Sequence, residues 1–120
     1  MPIVTIQCVG NADGEWDENT TQGLADELGR LFGSEPGGTW LRLTHLPRTQ
    51  YAENETMVPP NVQPTFVEVM QGTLPADLAQ QAEQVAAIVA RQLGRSQANV
   101  HVFYLPPAGG RAAFGGQLAG

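Results

Sequence analysis

The first residues of the chain, Met1-Pro2-Ile3-Val4, contain the first candidate for chemistry. Methionine before a small residue such as proline is normally removed after synthesis, which leaves Pro2 with a free secondary amine. The proline ring fixes φ and holds that nitrogen in one direction. An α-amino group has an unperturbed pKa of about 7.7–8.0, and burial in an apolar pocket lowers it. We therefore expect Pro2 to transfer protons near pH 7. The alternative is that the chain begins with Met-Pro by chance. A retained Met1 would make the Pro2 nitrogen an unreactive amide.

Composition and charge exclude several classes of function. The 120 residues suffice for one domain with a modest core, so we expect a single domain over 1–120. A net charge of −6 argues against a nucleic-acid or anionic-membrane partner. No apolar run approaches ~18 residues, and no signal-peptide core follows Met1, so we expect a cytoplasmic protein. Cys8 is the only cysteine and there are two histidines, which predicts neither a disulfide nor a metal site.

The elements that must position Pro2 follow from hydrophobic periodicity in the first half of the chain. Alternating apolar residues predict a strand over 2–8 that places Cys8 in the core. A helix is expected to begin near residues 18–20, with Asn19 or Thr20 as its N-cap and Gly33 as its terminator. A second strand is predicted over 39–46, with leucines on one face and polar residues on the other.

The second half of the chain repeats this pattern. A strand led by Pro64 is predicted over 64–69, a helix over 77–93 and a strand over 99–105. Thr73 is the expected cap of this helix, and Gly94 ends it. Pro64 follows Pro2 by 62 residues, so the chain consists of two similar units, 1–58 and 63–120, joined by a polar, proline-containing connection.

This order predicts an α/β (α+β) fold built as β-α-β-β-α-β. Strands that flank a single helix form parallel βαβ units with right-handed crossovers. Two such units place four strands in one core sheet with both helices on one face. The other face is left bare, and in a domain of this size we expect another subunit to cover it. His45 and Arg48 are expected to face solvent.

The proline start, the doubled unit and the tail Arg111-Ala112-Ala113-Phe114-Gly115-Gly116-Gln117-Leu118 together resemble the tautomerase superfamily. The short 4-oxalocrotonate tautomerases are single β-α-β units that end in Gly-Gly-Glu-Leu, and this chain is similar to two of them fused. Residues 65–85 and 100–118 are most similar to cis-3-chloroacrylic acid dehalogenase. The resemblance implies a tautomerase/MIF-like fold, a homotrimer whose sheets line an inner barrel, no cofactor, and an N-terminal proline that acts as general base or acid.

Several positions depart from the pattern of these relatives. Where the dehalogenase has two arginines that grip a substrate carboxylate, this chain has Gln71 and Leu74, and Thr73 stands near the arginine of the short tautomerases. Phe114 replaces the water-activating glutamate, and Phe103 replaces the assisting tyrosine. The resemblance therefore implies a more apolar and less cationic pocket, which disfavours hydrolytic dehalogenation and favours proton transfer between keto and enol forms.

Three further residues are candidates for substrate binding, each with a structural alternative. Arg111, in the tail, is the best cation to hold a carboxylate or enolate oxygen, or else a solvated loop arginine. His101 matches a substrate-binding arginine of the short tautomerases, or else lies buried at a subunit interface. Arg42 reaches a neighbouring site, or else forms an ion pair at an interface or in the barrel.

These observations predict an isomerase that tautomerises a small keto acid or related carbonyl compound through Pro2. Arg111 and His101 would stabilise the enolate oxygen, and Phe103 and Phe114 would keep the pocket dry. Two alternatives remain. One is another proline-dependent reaction of the superfamily, namely dehalogenation, hydration or decarboxylation. The other is a trimeric binding protein of the same fold without activity. Pro64 lies inside the chain, so its amide nitrogen cannot share the role of Pro2.

Overall fold

A four-stranded sheet carries two helices in the computed structural model, which describes residues 2–10 and 16–120. The elements in chain order are β1 (Ile3–Gly10), α1 (Glu18–Phe32), β2 (Trp40–Pro47), β3 (Thr65–Met70), α2 (Leu78–Leu93), β4 (Val100–Tyr104), β5 (Ala113–Phe114) and β6 (Gln117–Leu118). The predicted β-α-β-β-α-β order and α+β class are confirmed. The Gly-rich tail, which sequence patterns left without structure, forms the small β5–β6 hairpin.

The strands of the main sheet are ordered β2-β1-β3-β4. Each half of the chain contributes a parallel pair, as predicted, and the two central strands β1 and β3 run antiparallel. The starts of β1 and β2 therefore lie at the same end of the sheet as the ends of β3 and β4. We call this the Pro2 end of the sheet. α1 leads from the opposite end back to the Pro2 end, and α2 leads away from it.

Both helices pack on one face of the sheet, as expected from the apolar stripe of each. Leu24 and Leu28 of α1 and Val89 of α2 are fully buried against alternate residues of the central strands, such as Ile6 and Val67. Cys8 belongs to the same core. Burial of these aliphatic side chains stabilises the fold by roughly 1.5–3 kcal/mol each.

Both helices are capped by residues close to them in sequence, but the predicted N-caps are wrong. Asp17, not Asn19 or Thr20, caps α1 through a 3.0 Å hydrogen bond from the Thr20 backbone N–H. Asp77, not Thr73, caps α2 through a bond of equal length from Gln80. The predicted C-terminal glycines are confirmed, because Gly33 and Gly94 both adopt the left-handed conformation.

The second face of the sheet is uncovered in the single chain, as predicted. Trp40 and Phe103 on this face are 45% and 51% exposed. Phe66, on the neighbouring strand β3, packs against the rings of Phe103 and His101 on β4. We call this surface, which also includes Arg42 and Glu68, the uncovered face.

The connection between the halves is held by Arg48, which does not face solvent as expected. Its guanidinium donates hydrogen bonds of 2.7–3.1 Å to the carbonyl oxygens of Val58, Pro59 and Val62. The expectation for His45 is also wrong, because its side chain lies on the helix face, partly buried. Both residues therefore have structural surroundings at the end of the sheet opposite Pro2.

Candidate functional site

Pro2 is buried at the start of the central strand β1. Its carbonyl oxygen accepts a 3.0 Å hydrogen bond from the backbone N–H of Trp40, the first residue of β2. The indole Nε1 of Trp40 donates at 3.0 Å to the carbonyl oxygen of Gly37, in the turn that follows α1. Trp40 thus connects Pro2 to the turn between α1 and β2.

A pocket of about 290 Å³ opens beside Pro2 and is lined otherwise by that turn, namely by Phe32, Gly33, Ser34, Glu35 and Gly38. The turn is compact because the Gly38 N–H donates to the Glu35 carbonyl oxygen at 2.8 Å. A Cβ at Gly38 would come within 2.9 Å of that oxygen, so the turn requires glycine here. The pocket is therefore formed by the end of α1 and the connection between α1 and β2, next to Pro2.

The polar groups of this pocket come from Ser34 and Glu35. The Ser34 hydroxyl lies 2.6 Å from the Thr39 hydroxyl, and either can be the donor. If Thr39 donates, the Ser34 proton is free to bind an oxygen atom of a ligand. Glu35 brings a negative charge, and its side chain is exposed. None of the residues that line the pocket is an arginine, a lysine or a histidine.

Gln71 also lies at the Pro2 end, since β3 runs antiparallel to β1 with Met70 opposite Ile3. It is 8% exposed, and its amide Nε2 donates to Gln81 Oε1 at 3.0 Å. The Tyr104 hydroxyl donates to the same oxygen at 2.9 Å. Burial raises the pKa of Tyr104, so the phenol stays protonated at neutral pH. The side chain of Gln71 is thus held in an uncharged network with α2 and β4.

The C-terminal tail crosses the Pro2 end from β4 toward β2. The Ala108 N–H donates to the Gln71 carbonyl oxygen at 2.9 Å, and further along the Phe114 ring meets Trp40 edge to face at 5.7 Å. Arg111 lies between these contacts with an exposed side chain. Thr73 is exposed in the loop before α2. Four of the predicted site residues, Gln71, Thr73, Arg111 and Phe114, therefore belong to the Pro2 end, although none lines the pocket itself.

The other three predicted site residues lie along the uncovered face. Arg42 pairs in register with Thr5 and donates to its hydroxyl at 2.9 Å. Phe103 is opposite Glu68, and His101 is opposite Phe66, one step further from the Pro2 end. Within one chain these residues do not surround Pro2.

The sequence analysis did not single out Ser34 and Glu35, which lie between the predicted first helix and the predicted second strand. A signal was present, because a right-handed βαβ unit that begins at Pro2 must return its chain to the same end before the second strand. The turn 33–38 is the segment that makes this return.

Comparison with solved structures shows which proteins share this architecture. A macrophage migration inhibitory factor homologue from Prochlorococcus marinus superposes with a TM-score of 0.70 and 17% identity, covering 98% of this chain and 99% of the other. A fused 4-OT described as an asymmetric trimer gives 0.69 and 18%, covering 96% and 95%. N1, a member of the cis-3-chloroacrylic acid dehalogenase family, gives 0.67 and 16%, covering 95% and 82%.

The chain has the tautomerase-superfamily fold. No protein-family model matches it, and no curated protein matches it in sequence. The resemblance drawn from the sequence is therefore confirmed at the level of the fold.

Over 2–10 and 16–120, no cluster of His, Cys, Asp and Glu side chains has the arrangement needed to hold a metal ion. In the same part of the chain, no helix has the length and apolar character needed to cross a membrane. A second pocket, of about 450 Å³, is formed by residues of the connection between the halves, from Arg48 to Val58. It lies at the end of the sheet opposite Pro2.

Proposed function

We propose that this protein is an isomerase that transfers a proton between carbon and oxygen of a small keto acid or related carbonyl compound. Pro2 supplies the base and acid after Met1 is removed. The observation that carries the proposal is the burial of Pro2 beside a pocket in a tautomerase-superfamily fold. The partly buried ring of Phe32 in the pocket wall favours the neutral amine by desolvation.

The proton transfer needs only the Pro2 amine and a group, such as water, that exchanges a proton with the substrate oxygen. In the keto-to-enol direction, the Pro2 lone pair takes the proton from the carbon next to the carbonyl. The C–H electron pair forms the C=C bond, and the carbonyl oxygen takes a proton from solvent. In the reverse direction, the protonated amine returns a proton to carbon while the enol oxygen loses its own to water. No other reactant is consumed.

The Ser34 hydroxyl is the donor within the pocket that can stabilise the enolate oxygen. The tail carries Phe114, whose ring contacts Trp40 at the same end of the sheet, and we propose that it restricts the access of water to Pro2. Arg111 on this tail is the cation proposed to bind a substrate oxygen. Replacing Arg111 with alanine tests this role, since an unchanged KM and kcat for a keto acid would contradict it.

We further propose that three copies assemble through the uncovered face, because Trp40 and Phe103 expose large apolar surfaces there. The fused 4-OT with the same fold is described as a trimer. Native mass spectrometry should give three times the 12.8 kDa of the chain. Phe103→Asp should shift the protein toward smaller species, whereas Ala87→Asp, at an exposed position of α2, should not. A monomeric wild-type protein would contradict the assembly.

The catalytic assignment is tested by comparing the two prolines that begin the repeated units. Intact mass must first show that Met1 is absent. Pro2→Ala should then lower kcat/KM for the enol of phenylpyruvate at least about 100-fold, the lower range for a positioned acid or base. Pro64→Ala is the matched control, because Pro64 is also buried but its nitrogen is an amide.

Each outcome of this comparison separates the alternatives. Unchanged turnover in Pro2→Ala would refute the role of Pro2 as base. A wild-type protein with a free Pro2 amine and no turnover at all would instead support the non-catalytic binding protein. A mass that still includes Met1 would exclude this chemistry for that preparation.

A further inference from the structure

Resting on the function proposed above, we propose that Gln81 of α2 is a positioning residue for Arg111, the cation assigned to a substrate oxygen. The observation is a continuous series of hydrogen bonds within one chain. It runs from the side chain of Gln81, through Gln71 and Ala108, to the backbone of Arg111. We call this series the Gln81 relay.

The relay begins at the end of β3. Gln71 follows β3 directly and is buried, whereas residues 72–74 of the same loop are exposed. Both polar atoms of the Gln71 side-chain amide bond to Gln81. Its Nε2 donates to Gln81 Oε1 at 3.0 Å, and its Oε1 accepts from Gln81 Nε2 at 3.4 Å. A buried amide that lost these partners would still bear the cost of its lost hydration, so the pair resists opening.

Tyr104 of β4 supports the same pair. Its hydroxyl donates to Gln81 Oε1 at 2.9 Å, and its ring packs against the buried core. Burial raises the pKa of Tyr104, so the phenol keeps the proton that it donates at neutral pH. The end of β3, the end of β4 and α2 are thus joined at one amide. This junction lies on the helix side of the sheet, so copies of the chain on the uncovered face would not cover it.

The relay continues from Gln71 to Arg111 through backbone groups. The Gln71 carbonyl oxygen accepts from the N–H of Ala108, a buried residue of the tail, at 2.9 Å. The Ala108 carbonyl oxygen in turn accepts from the N–H groups of Arg111 and Ala112, both at 2.9 Å. The Arg111 side chain is exposed, so its backbone is the part of the residue that these bonds hold. Its position therefore depends on where Gln71 is held.

A double-mutant cycle with the enol of phenylpyruvate tests this role. Gln81→Leu should lower kcat/KM about 3- to 10-fold, the range expected for the loss of one net hydrogen bond. In the Arg111→Ala background the same substitution should have no further effect, because the group that it displaces is absent. Gln84→Leu is the matched control. It makes the same change at an exposed position three residues further along α2, and kcat/KM should stay the same.

Hydrogen exchange measures the relay without turnover. Gln81→Leu should speed exchange of the Ala108 and Arg111 amides about 3- to 10-fold. Exchange of the Val67 amide, in the middle of β3, should stay the same. Tyr104→Phe removes one bond and keeps the packed ring, so it should give smaller changes in the same direction. This variant carries the test if Gln81→Leu does not fold.

The outcomes separate this inference from the proposed function. Equal losses of kcat/KM with and without the Arg111 side chain would indicate a general structural role for Gln81. That result, or unchanged exchange at Ala108, would overturn the inference while Pro2-dependent turnover persisted. Absence of Pro2-dependent turnover would overturn the proposed function and this inference with it.

Discussion

Alkaline pH should destabilise this fold through Cys8, which is fully buried in the central strand β1. Burial raises the pKa of the Cys8 thiol from 9.0 to about 11, because the thiolate would lose its hydration in the core. The Arg95 guanidinium and the hydrogen bond with Thr65 partly offset this rise. The thiol therefore stays protonated in the folded protein at pH values where the unfolded chain ionises.

Proton linkage determines whether the free energy of unfolding rises or falls with pH. Between pH 9 and 11 the folded state holds more protons than the unfolded state, so the free energy of unfolding falls as pH rises. This contribution is fully present below about pH 9 and is lost at about pH 11. Two pKa units correspond to about 2.7 kcal/mol, and the part lost between pH 8 and 10.5 is about 2 kcal/mol.

Urea unfolding at pH 8, 9, 10 and 10.5 measures this loss in the wild-type protein and in Cys8→Ala. Tyr51 and Tyr104 also have raised pKa values, Tyr51 through its hydrogen bond with Glu53 and Tyr104 through burial. They contribute equally to both proteins, so the difference between the two pH profiles belongs to Cys8. Parallel profiles, with Cys8→Ala less stable by a constant amount, would refute the reasoning.

Other predictions concern the helix end, the core and the connection. Gly33→Ala should lower the free energy of unfolding by about 1 kcal/mol, because φ is +69° at this position, and an unchanged urea midpoint would contradict this. Leu28→Ala should cost 2–5 kcal/mol, since Leu28 is fully buried between α1 and the sheet; a cost below about 1 kcal/mol would show that the core collapses around the gap. Arg48→Gln should increase hydrogen exchange in residues 51–63, which its three hydrogen bonds restrain, while exchange in the strands should stay the same if the role is local.

Much of the architecture was predictable, because the spacing of apolar residues along the sequence matches the spacing of the buried positions. Ile6 and Cys8 alternate with polar residues, and the structure buries both on the helix face. Gly33 and Gly94 end the helices because only glycine enters the left-handed conformation without a Cβ penalty. These signals lie within a few residues of the feature that they predict.

The errors occurred where several nearby groups compete or where the partner is remote in sequence. Asp17 is one of several residues able to cap α1, and the helix begins two residues earlier than Asn19 as the N-cap would require. Arg48 carries no local sign that its partners are carbonyl groups 10–14 residues further along. The tail hairpin also depends on remote contacts, since Phe114 packs against Trp40.

Periodicity and residue types are local properties, so the amino-acid sequence was sufficient to predict the two helices, the four main strands, their order and the chemistry proposed for Pro2. Which groups share a pocket with Pro2 depends instead on contacts between segments that are distant in sequence. The parallel pairing of β1 and β2 returns the chain after α1 to the Pro2 end, which brings Ser34 and Glu35 to the cavity. The same arrangement leaves Arg42, His101 and Phe103 along the uncovered face. Strand direction and register, which arise from packing between distant segments, therefore set which residues lie beside Pro2.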